Sequence, residues 1–339
     1  QEEKIMYLLP KPKTIKEQDG QMLLCHSTHI VMTKEVAETE MHAAKRLQEA
    51  IRQETGLILP FSVGEVREGD LSLGIAKTLP EQTYEITIDE KGGQISGGDG
   101  AGVLYGVETF CQIVQQCGGI LPCVQIQDAP DMPNRGYYFD QTRGRVLKLE
   151  ELKKIADRMC RYKLNQLQLY VEHTYLFRDF SEMWRDQTPL TAEEIRELDS
   201  YCRERHIELV PSLASFGHLC TLLSTKTYGD LCEMEDSWKE PFSFWNRMRY
   251  HTINVSDERS LPLIKKMIAE YMQLFSSNKF NICADETFCL GKYKSKKLAE
   301  ERGVHRLYID YVKELAQFLV ENGKIPMFWG DIIWNSPEL

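Results

Sequence analysis

The segment Lys279-Phe280-Asn281-Ile282-Cys283-Ala284-Asp285-Glu286 places two adjacent acids directly after a short apolar run. The apolar run predicts a buried strand, and charged side chains rarely follow such a strand unless they line a working surface. In a chain of alternating strands and helices, the carboxyl ends of the strands form the face where barrel enzymes carry out chemistry. The ordinary explanation of an isolated Asp-Glu pair is a strand end exposed to solvent. The surrounding sequence therefore has to distinguish this explanation from a functional site.

Strands and helices alternate around this segment from about residue 136 onward. The apolar pattern predicts five strands, at residues 136–139, 167–171, 207–213, 280–284 and 325–329. The helices between them are predicted at residues 149–162, from 191 onward, and at 261–275 and 307–321. Thr191 and Glu194 form a capping box at the start of the second helix, and Gly323 ends the last one. Such alternation implies parallel strands with helices packed outside them.

The residues before this repeat predict a smaller mixed α/β domain. Helical spacing covers residues 34–54 and 102–116, and a short strand is predicted at 71–75. Tyr84, Ile86 and Ile88 alternate with polar residues, and Gly92-Gly93 then turns the chain toward residues 94–96, which predicts a hairpin.

A polar stretch with two prolines, residues 127–134, predicts a linker between the two parts. We therefore expect an α/β protein with a small α/β domain over residues 1–130 and a barrel domain over residues 131–339. The barrel is expected to be of the (β/α)8 TIM type, with about five β/α units present.

Composition narrows the function classes. The chain has 339 residues, is 42% hydrophobic and carries a net charge of -10, which argues against nucleic acid or an anionic membrane surface as a partner. It contains no run of about 18 apolar residues that would predict a membrane span. The ten cysteines show no metal or disulfide spacing and predict free thiols, so no cofactor or metal is expected. The start at Gln1 fits a mature or trimmed chain, and the compartment stays open between periplasmic or secreted and cytoplasmic.

Polar or aromatic residues lie at the carboxyl end of each of the five predicted strands. They are Asp140 and Arg143, Glu172-His173, Gly217-His218, Asp285-Glu286, and Trp329. Any one of these groups has a plain structural explanation: Asp140 and Arg143 could be an ion pair that holds a loop, and a lone His218 is more often a satisfied polar residue. Five such groups at the same ends of successive strands favour a functional site.

The chain resembles glycoside hydrolase family 20, the β-N-acetylhexosaminidases, closest to a bacterial exo-hexosaminidase branch. In the small domain the resemblance rests on the run from Gly102 to Gln112, on Leu121-Pro122 and on residues 126–130. In the barrel it rests on Arg135-Gly136 to Arg143, Asn165 to Glu172, Gly217-His218, Asp285-Glu286 and Trp329.

Three positions depart from the pattern of that family. Pro211-Ser212-Leu213-Ala214-Ser215-Phe216 stands where the family usually has Pro-Glu-Ile-Asp-Met-Pro before Gly-His. His173 stands where many members carry Asp, and Cys283-Ala284 replaces the usual Gly-Gly before Asp-Glu. These departures bear on the sugar preference and the proton relay more than on the reaction.

Adjacent acids suit one type of glycosidase mechanism better than another. Most retaining enzymes place an acid and a nucleophilic carboxylate about 5 Å apart on opposite sides of the scissile bond. Side chains of neighbouring strand residues diverge, so Asp285 is a poor nucleophile to oppose Glu286. The resemblance implies that Glu286 is the general acid and base, and that the substrate's 2-acetamido oxygen attacks C1 to form an oxazolinium, which Asp285 stabilises.

The resemblance also implies roles for other residues. Arg135 would bind ring hydroxyls of the terminal sugar, His218 would support the acid end of the site, and Trp329 would pack against the acetamido group. Glu172 and His173 complete the predicted substrate-binding set. The expected partner is a glycan or glycoconjugate with a terminal N-acetylhexosamine.

Other interpretations stay open at this point. A carbohydrate-binding relative without turnover would keep the pocket, and a metal-dependent barrel hydrolase would use His173, His218 and His251. The aromatic segment 221–251 predicts either a lid or leaving-group wall, or the packing of a long loop. The glycines at residues 98–102 lack the spacing of a nucleotide-binding motif.

The strand count predicts an incomplete barrel. About 209 residues follow the first domain, fewer than the roughly 250 of a typical barrel, and only five strands are predicted where the family has eight. We therefore expect a fragment with an open sugar pocket that is weakly active or inactive by itself. Strand edges and helix faces left exposed would favour self-association into a homo-oligomer.

Overall fold

The computed structural model describes residues 6–241 and 243–334, which fall into two compact units. The first unit combines the residues up to Gly136 with Lys154–Asn165 and Tyr201–Ile207. The second unit holds Tyr137–Lys153, Gln166–Ser200 and the chain from Glu208 onward. The domain boundary at residue 130 stays a prediction.

The first unit is built on a mixed sheet of seven strands, with spatial order β1-β7-β5-β6-β4-β2-β3. In chain order its elements are β1 Thr14–Leu23, β2 Ile30–Met32, α1 Lys34–Thr39, α2 Met41–Thr55, β3 Phe61–Val63, β4 Leu71–Ile75, β5 Tyr84–Asp89, β6 Gly92–Gly97, α3 Gly100–Cys117 and β7 Ile120–Asp128.

Most predicted elements of this unit are confirmed. The hairpin pairs β5 with β6 in antiparallel register, with Tyr84 opposite Gly97 and Ile86 opposite Ile95. Helix α3 covers the predicted 102–116, and β4 coincides with the predicted strand. The predicted helix over 34–54 is wrong in one respect, because it is divided at Glu40, whose φ of -121° lies outside the helical range. The predicted linker begins too early, since β7 continues to Asp128.

The elements from residue 136 onward alternate as predicted. They are β8 Gly136–Asp140, α4 Leu149–Arg161, β9 Gln166–Val171, α5 Ser181–Trp184, α6 Ala192–Arg203, β10 Glu208–Leu213, α7 Cys220–Leu223, α8 Phe244–Arg249, α9 Ser260–Met272, β11 Lys279–Asn281, α10 Lys296–Arg302, α11 Val304–Glu321, β12 Ile325–Met327 and α12 Asp331–Trp334. Two short 3-10 turns, Gly229–Leu231 and Ser237–Lys239, lie between α7 and α8.

The second sheet places these strands in chain order, β8-β9-β10-β11-β12. Strands β9 to β12 are parallel, with Leu213 opposite Val171, Ser212 opposite Asn281, and Phe280 opposite Pro326. The fold is therefore of the TIM-barrel type, with five strands supplied by the described residues. Because the strands are parallel, their carboxyl ends lie along one edge of the sheet.

Strand β11 is shorter than predicted. It ends at Asn281, and Cys283 and Ala284 have φ values of 58° and 63°, in the left-handed region that no strand adopts. The Asn281 side chain accepts a hydrogen bond of 2.9 Å from the Cys283 N–H, which ends the strand locally. Asp285 and Glu286 consequently lie on a loop beyond the strand and not on its last residues.

No helix within residues 6–241 and 243–334 combines the length and the apolar character that a membrane crossing requires.

Candidate active site

The loop that carries the two acids is held against the loop after β10. A methyl group at Gly217 would lie 2.6 Å from the carbonyl oxygen of Asp285, so only glycine allows the two backbones to approach this closely. The next residue, His218, has a φ of 61°, and Glu286 has a φ of 48°. Several non-glycine residues in left-handed conformation at one place are typical of functional sites.

His218 connects the two acids. Its Nε2 lies 3.4 Å from Oδ2 of Asp285 and 3.2 Å from Oε2 of Glu286. The imidazole is buried, whereas both carboxylates are partly exposed. Burial opposes protonation of His218, but the hydrogen bond and charge of Asp285, with further charge from Glu172 and Glu286, outweigh it and raise its pKa. The raised pKa favours the protonated form of His218 beside the two acidic side chains.

Two carboxylate oxygens of this group are themselves unsatisfied. Oδ1 of Asp285 and Oε2 of Glu286 are buried and accept no hydrogen bond from the described part of the chain. The short distance from His218 to Glu286 is thus an electrostatic contact without hydrogen-bond geometry. Unsatisfied buried polar atoms are uncommon in folded proteins and point to a functional role.

Glu172 is committed to an internal network at the end of β9. Its Oε1 accepts a hydrogen bond of 3.0 Å from the Tyr170 hydroxyl, and its Oε2 accepts one of 2.7 Å from Arg247. The ring of Tyr170 in turn meets the His218 ring edge-to-face at 6.4 Å. Glu172 is thus bound to Tyr170, whose ring contacts His218, and its predicted role in substrate binding stays a prediction.

His173 is buried beside this network and stays neutral. Its Nδ1 lies 3.2 Å from the Thr221 hydroxyl. Burial, helped by the charge of Arg247, lowers the pKa of His173 to about 4. Oε2 of Glu172 is 3.9 Å from His173 and would favour the charged form, but Arg247 lies closer and neutralises that carboxylate.

Trp329 packs against Tyr138. The two rings meet edge-to-face with their centres 5.1 Å apart. The backbone N–H of Trp329 donates a hydrogen bond of 2.9 Å to the Cys283 carbonyl. The Tyr138 hydroxyl lies 2.9 Å from the Ser212 hydroxyl, and burial raises its pKa, so it remains a neutral hydrogen-bonding group. The predicted contact of Trp329 with an acetamido group stays a prediction.

Arg135 lies elsewhere, and its predicted role needs correction. The residue precedes strand β8, and its guanidinium binds the Lys163 carbonyl at 2.8 Å, the Met132 carbonyl at 2.7 Å and the Tyr105 hydroxyl at 3.0 Å. These contacts all belong to the first unit. A guanidinium held this way at the amino end of a barrel strand does not reach the carboxyl ends where the acids lie.

Arg143 follows the carboxyl end of β8, the end of the strand at which the two acids lie. Its Nε donates a hydrogen bond of 2.6 Å to Oδ2 of Asp140, and its guanidinium carbon lies 4.9 Å from the Tyr170 ring centre. The Asp140–Arg143 ion pair considered from the sequence is therefore present, and it lies beside the residue that contacts His218. Arg143 replaces Arg135 as the candidate sugar-binding guanidinium.

The aromatic segment 221–251 packs in one part and lines a cavity in another, and its role as a lid or leaving-group wall stays a prediction. Tyr228 stacks on Phe180 at 5.4 Å, which is loop packing. Trp245 and Tyr250 instead line a cavity of about 360 Å³ together with Glu286. Phe242 lies outside the described residues.

Three functional neighbours were missed from the sequence: Tyr138, Tyr170 and Arg247. The tyrosines lie on β8 and β9 among apolar residues, and a polar aromatic group on a buried strand is a signal that could have identified them. The sequence around Arg247 carries no such signal, because Arg247 reaches Glu172 only through the folding of a long loop back to the end of β9.

One group of described residues has an arrangement that a metal ion could use. His218, Asp285 and Glu286 each offer a ligand atom, and these atoms lie within 4.8 Å of one another. The three-histidine arrangement considered from the sequence is not formed, since His173 contacts Thr221 and His251 contacts the Arg247 carbonyl and Ser224. The same three atoms are equally suited to proton transfer.

Two family models match the chain, one over each part. The model for glycosyl hydrolase family 20, domain 2, matches residues 6–129, and the model for the catalytic domain of that family matches residues 133–338. The second match alone covers more than half of the chain.

Curated relatives and solved structures agree with these models. A β-hexosaminidase of Porphyromonas gingivalis is 24% identical over 96% of this chain and 45% of its own length. A β-hexosaminidase of Vibrio furnissii is 26% identical over 82% of this chain and 48% of its own length. The chain therefore spans about half the length of these relatives. The structure of a β-N-acetylhexosaminidase from Bacteroides fragilis superimposes with a TM-score of 0.79 at 20% identity, over 96% of this chain and 67% of that one.

Proposed function

This chain belongs to glycosyl hydrolase family 20, and from that premise we propose that its protein is a retaining glycoside hydrolase that removes terminal β-linked N-acetylhexosamine from glycans. The observation that carries the proposal is the contact of one imidazole, His218, with both Asp285 and Glu286 at the carboxyl ends of parallel strands. The relatives from Porphyromonas gingivalis and Vibrio furnissii are β-hexosaminidases, which supports the same substrate class.

The positions of the two carboxylates support a nucleophile supplied by the substrate. Both carboxylates approach the same nitrogen of His218, at 3.4 Å and 3.2 Å, so they lie on one side of the site. An enzyme nucleophile would have to face the acid from the opposite side of a sugar ring, with the ring between them. Asp285 is therefore better placed to stabilise a positive charge than to attack C1.

The proposed reaction has two steps. Glu286 protonates the glycosidic oxygen while the 2-acetamido oxygen of the substrate attacks C1, which releases the leaving group and forms an oxazolinium. Asp285 accepts a hydrogen bond from the acetamido N–H and stabilises the positive charge. Glu286, now a carboxylate, then removes a proton from the water that opens the oxazolinium at C1 with retention.

His218 assists both steps through its charge. The raised pKa of His218 favours the imidazolium, whose positive charge stabilises the carboxylate that Glu286 becomes after proton donation. Trp329 and Tyr138 supply an aromatic wall against which the acetamido methyl group can pack. Arg143 is proposed to bind ring hydroxyls of the terminal sugar.

A matched set of chromogenic substrates tests the proposal in the intact protein. We expect hydrolysis of 4-nitrophenyl N-acetyl-β-glucosaminide and no comparable hydrolysis of 4-nitrophenyl β-glucoside, which lacks the internal nucleophile. Successive fluorination of the acetyl group should lower kcat/KM at each step, because it weakens the attacking oxygen. Equal rates on all these substrates would contradict substrate assistance.

Two further outcomes separate the competing functions. Saturable binding of N-acetylglucosamine without any turnover would favour a carbohydrate-binding relative. Loss of turnover in a chelator, with recovery on adding a divalent ion, would favour metal-dependent hydrolysis at His218, Asp285 and Glu286.

A further inference from the structure

Two cavities border Glu286, and they differ in chemistry. Each has a volume of about 360 Å³, and Glu286, Phe288 and Lys292 contribute to the lining of both. If Glu286 protonates the leaving oxygen, the space that its side chain borders belongs to the leaving group. This step rests on the proposed function.

The first cavity is aromatic and cationic, and we call it the cationic cavity. Besides the shared residues it is lined by Trp245, Arg249, Tyr250 and Tyr293. Trp245 is 65% exposed and Tyr293 is 43% exposed, so flat aromatic surface is available to a ligand. Among the described residues that line this cavity, Glu286 is the only carboxylate.

Its two cations are not engaged by acids. Within residues 6–241 and 243–334, neither Arg249 nor Lys292 forms an ion pair, and Arg249 lies 5.9 Å from the centre of the Trp245 ring. Arg247, two residues earlier on the same helix, shows the contrast, because its guanidinium is bound to the buried Glu172 at 2.7 Å. In a chain with a net charge of -10, two uncommitted cations at one cavity are a local reversal of the overall charge.

The second cavity offers no such charge arrangement. Leu290, Val304 and Tyr308 give it an apolar lining, and Lys292 is the only Lys or Arg among its described lining residues. A neutral group would fit there as well as an anionic one. The charge argument therefore selects the cationic cavity alone.

We propose that the cationic cavity is a leaving-group subsite for a sugar residue that carries an anionic group, either a carboxylate or a sulfate. The aromatic rings of Trp245 and Tyr293 would contact the apolar face of that sugar, and Arg249 and Lys292 would bind its anionic group. Arginine suits both groups because its planar fork matches two oxygens of a carboxylate or a sulfate.

Matched disaccharides test this subsite in the intact protein. The substrates are N-acetyl-β-glucosaminyl disaccharides whose reducing-end sugar is glucose, glucuronic acid or glucose 6-sulfate, so that only the group at C6 changes. Exposed ion pairs are each worth up to about 1 kcal/mol, so the anionic substrates should show a kcat/KM roughly threefold to tenfold above the neutral one at low salt. High salt should reduce this preference, because exposed charges are screened.

Charge-removing variants assign the effect. Arg249→Gln and Lys292→Gln should each lower the ratio of kcat/KM on the anionic disaccharides to kcat/KM on the neutral disaccharide by roughly twofold to fivefold. Lys313→Gln is the matched control, since it removes one exposed charge from helix α11 and the residue does not line the cavity. A preference for only one of the two anionic substrates would identify carboxylate or sulfate as the bound group.

The outcomes separate this inference from the proposed function. Absence of an anionic preference, or an equal loss in Lys313→Gln, would overturn the subsite while hydrolysis of the neutral disaccharide upholds the proposed function. If none of the disaccharides is hydrolysed, the proposed function fails, and calorimetric binding of the same three then decides the subsite. Tighter binding of the anionic pair that is weakened by Arg249→Gln and Lys292→Gln supports it, and equal binding of all three overturns it.

Discussion

His218 and Asp285 come from loops that follow different strands, yet Nε2 of the first lies 3.4 Å from Oδ2 of the second. The contact depends on Gly217, because no side chain fits between its backbone and the Asp285 carbonyl. Electrostatic coupling between the two residues follows from this approach and raises the pKa of His218. The order of the strands thus makes His218 and Asp285 neighbours. The backbone conformation of the two loops sets the distance between their side chains.

Glu286→Gln should reveal an acid role through its dependence on the leaving group. A glutamine has no proton to donate, so kcat on a disaccharide should fall by roughly 10²- to 10⁴-fold. An activated aryl glycoside needs little protonation and should lose at least tenfold less. Steady-state rates on the two substrates measure this, and equal losses on both would argue against the acid role.

Asp285→Asn should remove the stabilisation of the oxazolinium. A neutral amide keeps the shape but loses the negative charge, so a thiazoline mimic of the intermediate should bind more weakly than to the wild type. We expect a loss in kcat of roughly 10²- to 10³-fold, as for the removal of one group that stabilises developing charge. Unchanged inhibition by the thiazoline would show that Asp285 does not contact the charged intermediate.

The fold could be predicted from the sequence where periodicity carries the information. The parallel strands, the helices between them and the hairpin at Gly92-Gly93 all follow from local apolar spacing and turn residues. The end of β11 could not be predicted in this way. Cys283 and Ala284 are apolar and continue the strand pattern, but they adopt left-handed conformations that end the strand.

The site could be predicted in part, and Arg135 and Arg143 show why. Arg135 precedes strand β8 and Arg143 follows it. A sequence motif that covers the whole strand does not show which of its ends lies near the acids. Parallel-strand geometry favours Arg143 as the proposed sugar-binding residue, because Arg143 follows the carboxyl end of the strand. The contact between Arg247 and Glu172 depends on a loop crossing of 75 residues that no local pattern encodes.

Two of the buried histidines, His173 and His218, predict opposite pH dependences of stability. The pKa of His173 is lowered to about 4, so its contribution is present above its unfolded value of about 6.5 and is lost as the pH falls from there toward 4. This difference in pKa corresponds to about 3 kcal/mol of free energy of unfolding. The pKa of His218 is raised, so its contribution is complete below about pH 6.5 and is lost as the pH rises through the folded value.

Denaturant unfolding between pH 5 and 9 checks both signs. Relative to His173→Asn, the wild type should gain stability as the pH rises from 5 to 7. Relative to His218→Asn, whose asparagine tolerates the left-handed backbone, the wild type should lose stability from pH 6.5 to 9. The same slope for both pairs would mean that the two imidazoles do not differ in protonation.

The left-handed conformation of Ala284 predicts an unusual response to glycine. Ala284 and Ala214 are both buried, and replacing a buried alanine with glycine removes a methyl group worth about 0.8 kcal/mol and adds chain entropy worth roughly 0.5–1 kcal/mol. Ala214→Gly should therefore destabilise the protein by about 1.5 kcal/mol. At Ala284 the φ of 63° costs an alanine about 1–2 kcal/mol that glycine does not incur, so Ala284→Gly should be nearly neutral. The free energies of unfolding of the two variants measure the difference, and an equal loss in both would show that the backbone at residue 284 is not left-handed.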